Sequence, residues 1–332
     1  MGSEIAESKV AGSGTTSVAE LSECVLDEME RAIVGKRAVL EDMMAALLCS
    51  GGHILLEDYP GLAKTLIANS FATVLGMSFR RIQFTPDLLP GDITGGYYYD
   101  RAHDCFVLRE GPIFANFILA DEVNRASPKT QSALLEAMQE FQVTLEGETM
   151  KLPDPFIVIA TQNPIEYEGT FPLPEAQLDR FLIRLTVGYP SREEEVEILR
   201  QRRARRQDAF DLRSITDVDG LNSMRDAVES VFVDPDVENY IVDLIAQTRN
   251  HRQVVVGSSP RGALALLKLS RARAAIQGRT FVLPDDVKHF AKQALTHRLI
   301  LVPDLWTVRG AAERVIDDIL NTVAVPVIEG VA

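Results

Sequence analysis

The sequence predicts an α/β fold, with helices on both faces of a parallel sheet, followed by a second domain made of helices. Between residues 54 and 190, short apolar runs alternate with longer stretches of helical spacing, which is typical of doubly wound sheets. After Tyr189-Pro190 the strand-like runs become few and helical stretches dominate. A chain of 332 residues is long enough for two such domains.

The first elements are predicted to be two helices. Apolar residues recur at helical spacing from Val18 to Leu48, and a break at Val34-Gly35-Lys36 separates the helices. Residues 1–17 lack the apolar centre of a secretion signal, so they are predicted to form a flexible tail.

Five strands are predicted next, so that residues 18–189 form the first domain. The strands cover residues 54–56, 81–84, 117–120, 156–160 and 182–187. Three of them are continuous apolar runs, as expected of parallel strands that are buried on both faces.

Residues 190–332 are predicted to form the helical second domain. Ser191 and Glu194 have the spacing of a capping box, which opens a helix that ends near Arg205. Helical spacing predicts further helices at residues 235–248, 260–276, 284–296 and 308–323. The arginine run at residues 200–206 is interpreted as a solvated helix face, with contact to an acidic neighbour as the alternative.

Composition limits the class of protein. The formal net charge of −14 argues against a general nucleic-acid binder, which needs a basic surface. No apolar run reaches the length of about 18 residues that a membrane span requires. Cys24, Cys49 and Cys105 have no CxxC spacing and are interpreted as buried apolar residues in a reducing compartment. A cytoplasmic protein is therefore expected.

A phosphate-binding loop is predicted where the first strand ends. Residues 58–65 connect an apolar strand to a helix, and the backbone N–H groups of such a loop converge on an anion. Lys64 is expected to reach the β- and γ-phosphates, and the Thr65 hydroxyl to coordinate Mg²⁺. The strict motif has glycine at Asp58 and Ala63. Asp58 would place an anion near the phosphates unless its carboxylate points away, and Ala63 is expected to have ordinary dihedral angles. The alternative is a simple turn with a solvated lysine.

Polar residues follow two other predicted strands. Asp121 is expected to hold Mg²⁺ through water, and Glu122 to orient and polarise the attacking water. Asn163 would emerge at the same sheet edge, where it could hold that water or sense the γ-phosphate. Taken separately, two solvated acids and an Asn-Pro turn are the alternatives. Together with Lys64 and Thr65, these residues favour a site for ATP hydrolysis.

Two arginines complete the predicted catalytic set. Phosphoryl transfer is often assisted by a guanidinium from outside the phosphate loop. Arg261 opens a helix of the second domain and is expected to arrive from the same chain. Arg180 precedes the fifth strand and is expected to arrive from a neighbouring subunit. A surface salt bridge is the alternative for each.

These elements, in this order, resemble the AAA+ ATPases, and several phrases resemble the MoxR family among them. The phrases are QFTPDLLP at residues 83–90, ADEVNRA at 120–126, TQNP at 161–164 and FPLPEAQLDRF at 171–181. The resemblance extends from about Ile33 to about Arg309, which is nearly the whole chain. It implies a P-loop αβα sandwich with a five-stranded parallel sheet and a small α-helical lid.

The resemblance also implies roles for individual residues. Lys64 and Thr65 correspond to Walker A, Asp121 and Glu122 to Walker B, Asn163 to sensor 1, Arg180 to the arginine finger and Arg261 to sensor 2. The implied cofactors are ATP and Mg²⁺, with Thr65 and Asp121 as metal ligands. The expected nucleotide contacts are Val34, Gly35, Asp58, Tyr59, Pro60, Gly61, Leu62, Ala63, Lys64, Thr65, Leu66 and Asp121.

The implied assembly is a homo-oligomer, a hexameric ring with its sites at subunit interfaces. The implied activity is chaperone-like remodelling or maturation of protein clients, which include proteins with a von Willebrand factor A domain, and extends to metal or cofactor insertion. The alternatives are a nucleic-acid motor similar to the MCM helicases and the motor subunit of a metal chelatase.

The family places two β-hairpin insertions in the first domain. Residues 95–99 and 105–108 fit one hairpin, and residues 142–145 and 149–152 fit the other, with glycine at its turn. Ordinary sheet packing is the favoured interpretation of Tyr97, Tyr98 and Tyr99. The alternative is that they face the pore or a partner.

Overall fold

The computed structural model describes residues 17–59, 61–163 and 170–327. The predicted tail up to residue 16, and Pro60 of the predicted nucleotide contacts, lie outside the described residues. Helix α1 covers residues 17–30 and α2 covers Arg37–Leu47. The predicted break therefore separates them, and Gly35 within it has a positive φ of 71°.

A five-stranded parallel sheet forms the centre of the first domain, in the order β2-β5-β8-β1-β9. Its strands are β1 (Ile54–Glu57), β2 (Phe79–Gln83), β5 (Phe117–Asp121), β8 (Ile157–Gln162) and β9 (Ile183–Leu185). All four pairings are parallel. The predicted sheet is confirmed. Strand β2 begins two residues before its predicted start because Phe79 already pairs with Phe117 of β5.

Helices cover both faces of this sheet. Helix α3 (Lys64–Val74) packs on one face and α5 (Pro128–Glu140) on the other, while the short α4 (Pro90–Thr94) adjoins α5. Side chains of a strand alternate between the faces. Accordingly, Ile54 and Leu56 belong to one apolar core, which α3 shares, and Leu55 belongs to the other, which α5 shares.

Two antiparallel hairpins project from the first domain, as predicted. The first pairs β3 (Gly95–Asp100) with β4 (Cys105–Glu110), and the second pairs β6 (Gln142–Leu145) with β7 (Glu148–Lys151). The Tyr97 hydroxyl donates to Glu148 Oε2 at 2.7 Å and so joins the two hairpins. Tyr99 packs edge-on against Phe106, as ordinary sheet packing predicts, but Tyr98 and Tyr99 keep about half of their surface exposed, 50% and 48%.

The second domain is helical, and it follows the short helix α6 (Glu175–Leu178) and strand β9. Its helices are α7 (Arg192–Arg205), α8 (Val218–Glu229), α9 (Pro235–Asn250), α10 (Pro260–Ile276), α11 (Pro284–Leu295) and α12 (Ala311–Thr322), with a small hairpin of β10 (Val254–Val256) and β11 (Ile300–Leu301). The capping box at Ser191 and Glu194 is present. Helix α8 was not predicted, because Gly220 interrupts its first turn and only Leu221, Met224 and Val228 are buried.

The two domains share one apolar core. Leu40 and Met43 of α2 lie in the same cluster as Leu266 and Leu269 of α10. Helix α7 contributes no buried residue, which agrees with the interpretation of its arginines as a solvated face.

The cysteines differ from the prediction. Cys49 is buried, whereas Cys24 and Cys105 are exposed, so the prediction of buried thiols is wrong for two of the three.

Among the described residues, no helix has the length and apolar character needed to cross a membrane.

Candidate nucleotide site

A cavity of about 420 Å³ opens at the carboxyl edge of the parallel sheet. Loop and helix residues 61–66 line it together with Arg81, Asp121, Glu122 and Asn163. Asp121 is the last residue of β5, and Asn163 directly follows β8. Parallel strands end at the same sheet edge, and ligands of open α/β sheets bind there. The structure therefore brings together the residues that the sequence predicts for the phosphate site.

The loop after β1 turns sharply before α3 begins at Lys64. Gly61 has φ +84° and Ala63 has φ +56°, both in the left-handed region. The expectation of ordinary dihedral angles at Ala63 is wrong. The strict motif has glycine at this position because glycine adopts this conformation freely, whereas alanine pays about 1–2 kcal/mol. Lys64 Nζ donates to the main-chain carbonyl of Asp58 at 2.7 Å, which holds the ammonium beside the loop.

The Asp58 carboxylate points away from the phosphate cavity, which is the condition for an anion at this position of the loop. Its side chain is buried, with 2% of the residue exposed. One carboxylate oxygen accepts from the backbone N–H of Tyr59 at 2.9 Å, and the other accepts from the backbone N–H of Gly188 at 2.6 Å. Gly188 lies in the linker between β9 and α7, so the carboxylate fastens the phosphate loop to the connection between the two domains.

Asp121 is held on both of its oxygens. The Thr161 hydroxyl donates to Oδ1 at 2.6 Å, and Arg81 donates to Oδ2 from Nη2 at 2.6 Å and from Nε at 3.1 Å. Bonds to an ionised carboxylate are stronger than neutral ones. They therefore fix the rotamer of Asp121 at the mouth of the cavity.

Hydrogen bonds from neighbouring residues and its own backbone conformation orient Glu122. Its backbone N–H donates to the Thr161 hydroxyl at 2.8 Å, and its φ of +56° turns the side chain out of the strand direction. Glu122 Oε2 accepts from Gln83 Nε2 at 2.7 Å and from Arg125 Nη1 at 3.0 Å. The carboxylate is thus held at the wall of the cavity.

Lys64 is half-buried in this acidic surrounding. Partial burial lowers the pKa of the ammonium, and the negative charges of Asp58, Asp121 and Glu122 oppose that shift. The predicted metal ligands, Thr65 and Asp121, fit Mg²⁺. This ion takes one or two oxygen ligands from the protein and completes its shell with water and phosphate. Thr65 and Asp121, which both line the cavity, supply such oxygens. Among the described residues, no group of three or more His, Cys, Asp or Glu side chains is arranged to hold a metal ion.

The sequence did not reveal the side chains that support the carboxylates. Arg81, Gln83, Arg125 and Thr161 touch Asp121 or Glu122. The sequence did contain a signal for Arg81. Arg81 lies two residues before Gln83, the last residue of its strand, so both side chains are expected on the same face of the sheet, near its carboxyl edge.

Arg180 and Arg261 lie at the opposite, amino edge of the sheet. They line a separate cavity of about 270 Å³ with His53, which directly precedes β1. His53 and Asp58 are separated by five steps of extended chain, which places the two edges about 17 Å apart. The structure therefore does not bring Arg261 to the phosphates of its own chain, and the expectation that it arrives from the same chain is not met.

Val34, Gly35 and Tyr59 lie near the domain linker instead of the phosphate cavity. The neighbouring Lys36 donates to the backbone carbonyl of Tyr189 at 3.0 Å, and the rings of Tyr189 and Tyr59 stack at 5.7 Å. Tyr59 also borders a wider groove of about 720 Å³ between the domains.

Comparison with known proteins agrees with the two-domain fold. The model of the ATPase family associated with various cellular activities (AAA) matches residues 53–183, and an AAA lid domain model matches residues 246–319. The chain is 46% identical over 302 residues to the uncharacterized protein YeaC of Bacillus subtilis, covering 91% of this chain and 94% of that protein. It is 44% identical over 313 residues to Chaperone MoxR1 of Mycobacterium tuberculosis, covering 92% of this chain and 82% of that protein. A crystal structure of a candidate ATPase from Cytophaga hutchinsonii superposes with a TM-score of 0.89 at 38% identity, covering 97% of this chain and 99% of that one.

Proposed function

The chain belongs to the MoxR family of AAA+ ATPases and hydrolyses ATP, and from this premise we propose that it drives chaperone-like remodelling or maturation of protein clients. The relative named Chaperone MoxR1 supports this proposal. The observation that carries the ATPase part is the cavity where Lys64, Asp121, Glu122 and Asn163 meet. Insertion of a metal or cofactor into the client belongs to the same proposal, as does a client with a von Willebrand factor A domain.

Each residue of the cavity has a proposed role. Lys64 neutralises the β- and γ-phosphates, and Glu122 accepts a proton from the attacking water while it orients that water. Asn163, which is buried with 7% of its surface exposed, fixes the position of the water or of the γ-phosphate. Mg²⁺ bound at Thr65 and Asp121 would supply positive charge for the developing charge on the phosphate oxygens.

The arginines at the amino edge support an assembled enzyme. A guanidinium at that edge, about 17 Å from the phosphate loop, is too far to touch a nucleotide on its own chain. We therefore assign both Arg180 and Arg261 to the nucleotide of a neighbouring subunit, in a hexameric ring whose sites lie at subunit interfaces. Residues 18–189 form the nucleotide-binding core and residues 190–332 the lid, and the ring is expected to work in the cytoplasm.

The test compares Glu122→Gln with Glu136→Gln, which changes an exposed glutamate on α5 in the same way. We expect Glu122→Gln to lower the rate of phosphate release about 10²–10⁴-fold, the usual contribution of a general base, while ATP binding is retained. Glu136→Gln should release phosphate at the unchanged rate. Equal rates in all three proteins would refute the role of Glu122.

The client proposal has its own test. Glu122→Gln loaded with ATP should stall in the client-bound state, so its complexes should outlast those of the unchanged protein. Affinity purification with ATP, compared with ADP, identifies the proteins retained. A set of retained proteins that is the same with either nucleotide would contradict ATP-driven remodelling.

A further inference from the structure

A buried arginine of the lid reaches into the first domain. Arg298 ends the short 3-10 turn after α11, and only 3% of its side chain is exposed. Its guanidinium donates to the backbone carbonyls of Phe181, at 2.7 Å, and Leu182, at 3.3 Å. Its Nε donates to Asp179 Oδ1 at 2.8 Å. These partners flank Arg180 on both sides.

The preceding residue strengthens the same attachment. His297 is buried, and burial lowers its pKa well below the ordinary value, so the ring is neutral. His297 Nε2 lies 3.1 Å from the Phe181 carbonyl and donates to it. Two consecutive lid residues therefore hold the loop 179–182, which carries Arg180.

The Asp179 carboxylate connects this loop to Arg261 as well. The Ser259 hydroxyl donates to Asp179 Oδ2 at 3.0 Å, and the same hydroxyl accepts from the backbone N–H of Arg261 as the cap of α10. Arg261 Nη1 lies 3.9 Å from Asp179 Oδ2. The Asp179 carboxylate thus joins the loop that carries Arg180 to the first turn of α10, which carries Arg261.

The Arg180 guanidinium itself donates to the backbone carbonyl of Leu135 in its own chain. We propose that Asp179 and Arg298 are positioning residues that hold Arg180 and Arg261 together as one two-arginine unit, which acts on the γ-phosphate of the neighbouring subunit. The proposal rests on the proposed action of Arg180 and Arg261 across a subunit interface. It adds that the loop 179–182 is attached to the lid, so that a movement of the lid carries Arg180 with it.

The lid offers a matched control for this arrangement. Arg279 also pairs with a buried carboxylate, donating to Asp286 at 2.7 and 2.8 Å, and also donates to a backbone carbonyl, that of Phe281, at 3.0 Å. All of these partners lie within the lid, and none belongs to the loop 179–182. Replacing either arginine by lysine keeps a positive charge beside a carboxylate but removes the planar group that serves several acceptors at once.

The first measurement is the ATP dependence of hydrolysis by Arg298→Lys and Arg279→Lys. A misplacement of about 1 Å at a reacting group costs about 10²-fold in rate, so kcat of Arg298→Lys should fall by about that factor. KM for ATP should stay unchanged, because the phosphate loop lies at the other edge of the sheet. Arg279→Lys should keep both values. Unchanged kcat in Arg298→Lys, or a rise in KM alone, would overturn the proposal.

The second measurement is complementation in mixed assemblies. Arg298→Lys subunits retain intact phosphate cavities, and Glu122→Gln subunits retain intact arginine units. A mixture of the two should therefore hydrolyse ATP well above the sum of the separate variants. A mixture of Arg180→Ala with Glu122→Gln is run beside it and should recover in the same way.

The outcomes distinguish the positioning role of Arg298 from the action of Arg180 across the interface. Recovery in both mixtures supports the positioning role. Recovery with Arg180→Ala but not with Arg298→Lys overturns the positioning role and leaves the action of Arg180 across the interface standing. No recovery in either mixture overturns that action and the positioning role with it.

A second variant covers the case in which Arg298→Lys does not fold. Ser259→Asp keeps an oxygen that caps α10 but places a negative charge against Asp179 in place of a hydroxyl donor. It should show the same loss in kcat and the same recovery with Glu122→Gln. Full activity of Ser259→Asp would overturn the proposal.

Discussion

The phosphate loop departs from the strict motif at Asp58. Replacing this residue with the motif's glycine is expected to lower the free energy of unfolding. Asp58→Gly removes a buried carboxylate that accepts from the N–H groups of Tyr59 and Gly188. Each hydrogen bond to a charged group contributes about 1.5–3 kcal/mol net, and glycine adds about 0.5–1 kcal/mol of conformational entropy to the unfolded chain. Part of this loss is offset because the carboxylate no longer has to be desolvated.

We therefore expect Asp58→Gly to lower the free energy of unfolding by about 2–4 kcal/mol, a large share of the usual 5–15 kcal/mol of a domain. Urea denaturation followed by circular dichroism measures this change. Asp58→Asn, which keeps one acceptor oxygen, should lose about half as much. Asp211→Gly, in an exposed loop of the lid, reports the effect of glycine alone. An Asp58→Gly protein as stable as Asp211→Gly would refute the structural role of this carboxylate.

Two further predictions follow from buried groups. Burial lowers the pKa of His53 from 6.5 to about 4, and the neutral ring donates to Met138 O and accepts from Val158 N–H. The contribution of neutral His53 to stability is present above pH 6.5 and is lost as the pH falls toward 4. The loss is about 2 kcal/mol at pH 5, because the unfolded chain binds more protons there than the folded chain. Urea denaturation at pH 5 and pH 7 should show this loss, and His53→Gln should show less of it; an equal loss would contradict the assignment. Burial raises the pKa of Cys49 to about 12, so a thiol reagent under native conditions should label the other two cysteines only. Labelling of all three without denaturant would contradict the buried position of Cys49.

The meeting of Lys64, Asp121 and Asn163 at one cavity could be predicted because it depends on local pattern. Lys64, Asp121 and Asn163 each follow an apolar run, and the carboxyl ends of parallel strands meet at one edge. No long-range information was needed beyond the alternation of strands and helices. The same reasoning predicted five strands and most of the lid helices.

The supporting contacts could not be predicted, since they join residues that are distant in the chain. Arg81 and Asp121 are 40 positions apart, and Arg298 and Asp179 are 119 apart. Sequence spacing gives no register between such residues until the sheet order and the lid position are known. The left-handed conformation of Ala63 was missed for another reason, because a small non-glycine residue gives no local signal for a positive φ.

The location of Arg261 was mispredicted for a topological reason. Arg261 opens a helix of the lid, and a lid that closes over its own nucleotide would bring it to the phosphates. In the structure the Ser259 cap of α10 is held by Asp179, which precedes β9 and therefore lies at the amino edge. A residue that comes before a parallel strand and one that follows it are separated by the whole length of that strand.

The lid is attached to the first domain at both edges of the sheet, and this bears on how neighbouring sites would communicate. At the carboxyl edge, Asp58 holds the linker at Gly188, and lid residue Arg309 donates to the Tyr59 hydroxyl at 3.3 Å. At the amino edge, Arg298 holds the loop that carries Arg180. The phosphate loop and the loop that carries Arg180 are therefore both attached to the lid. If Arg180 acts on the neighbouring subunit, the nucleotide bound to one chain biases hydrolysis in the next. Such a bias requires that the contacts at both ends of the lid differ between the nucleotide-bound and nucleotide-free states.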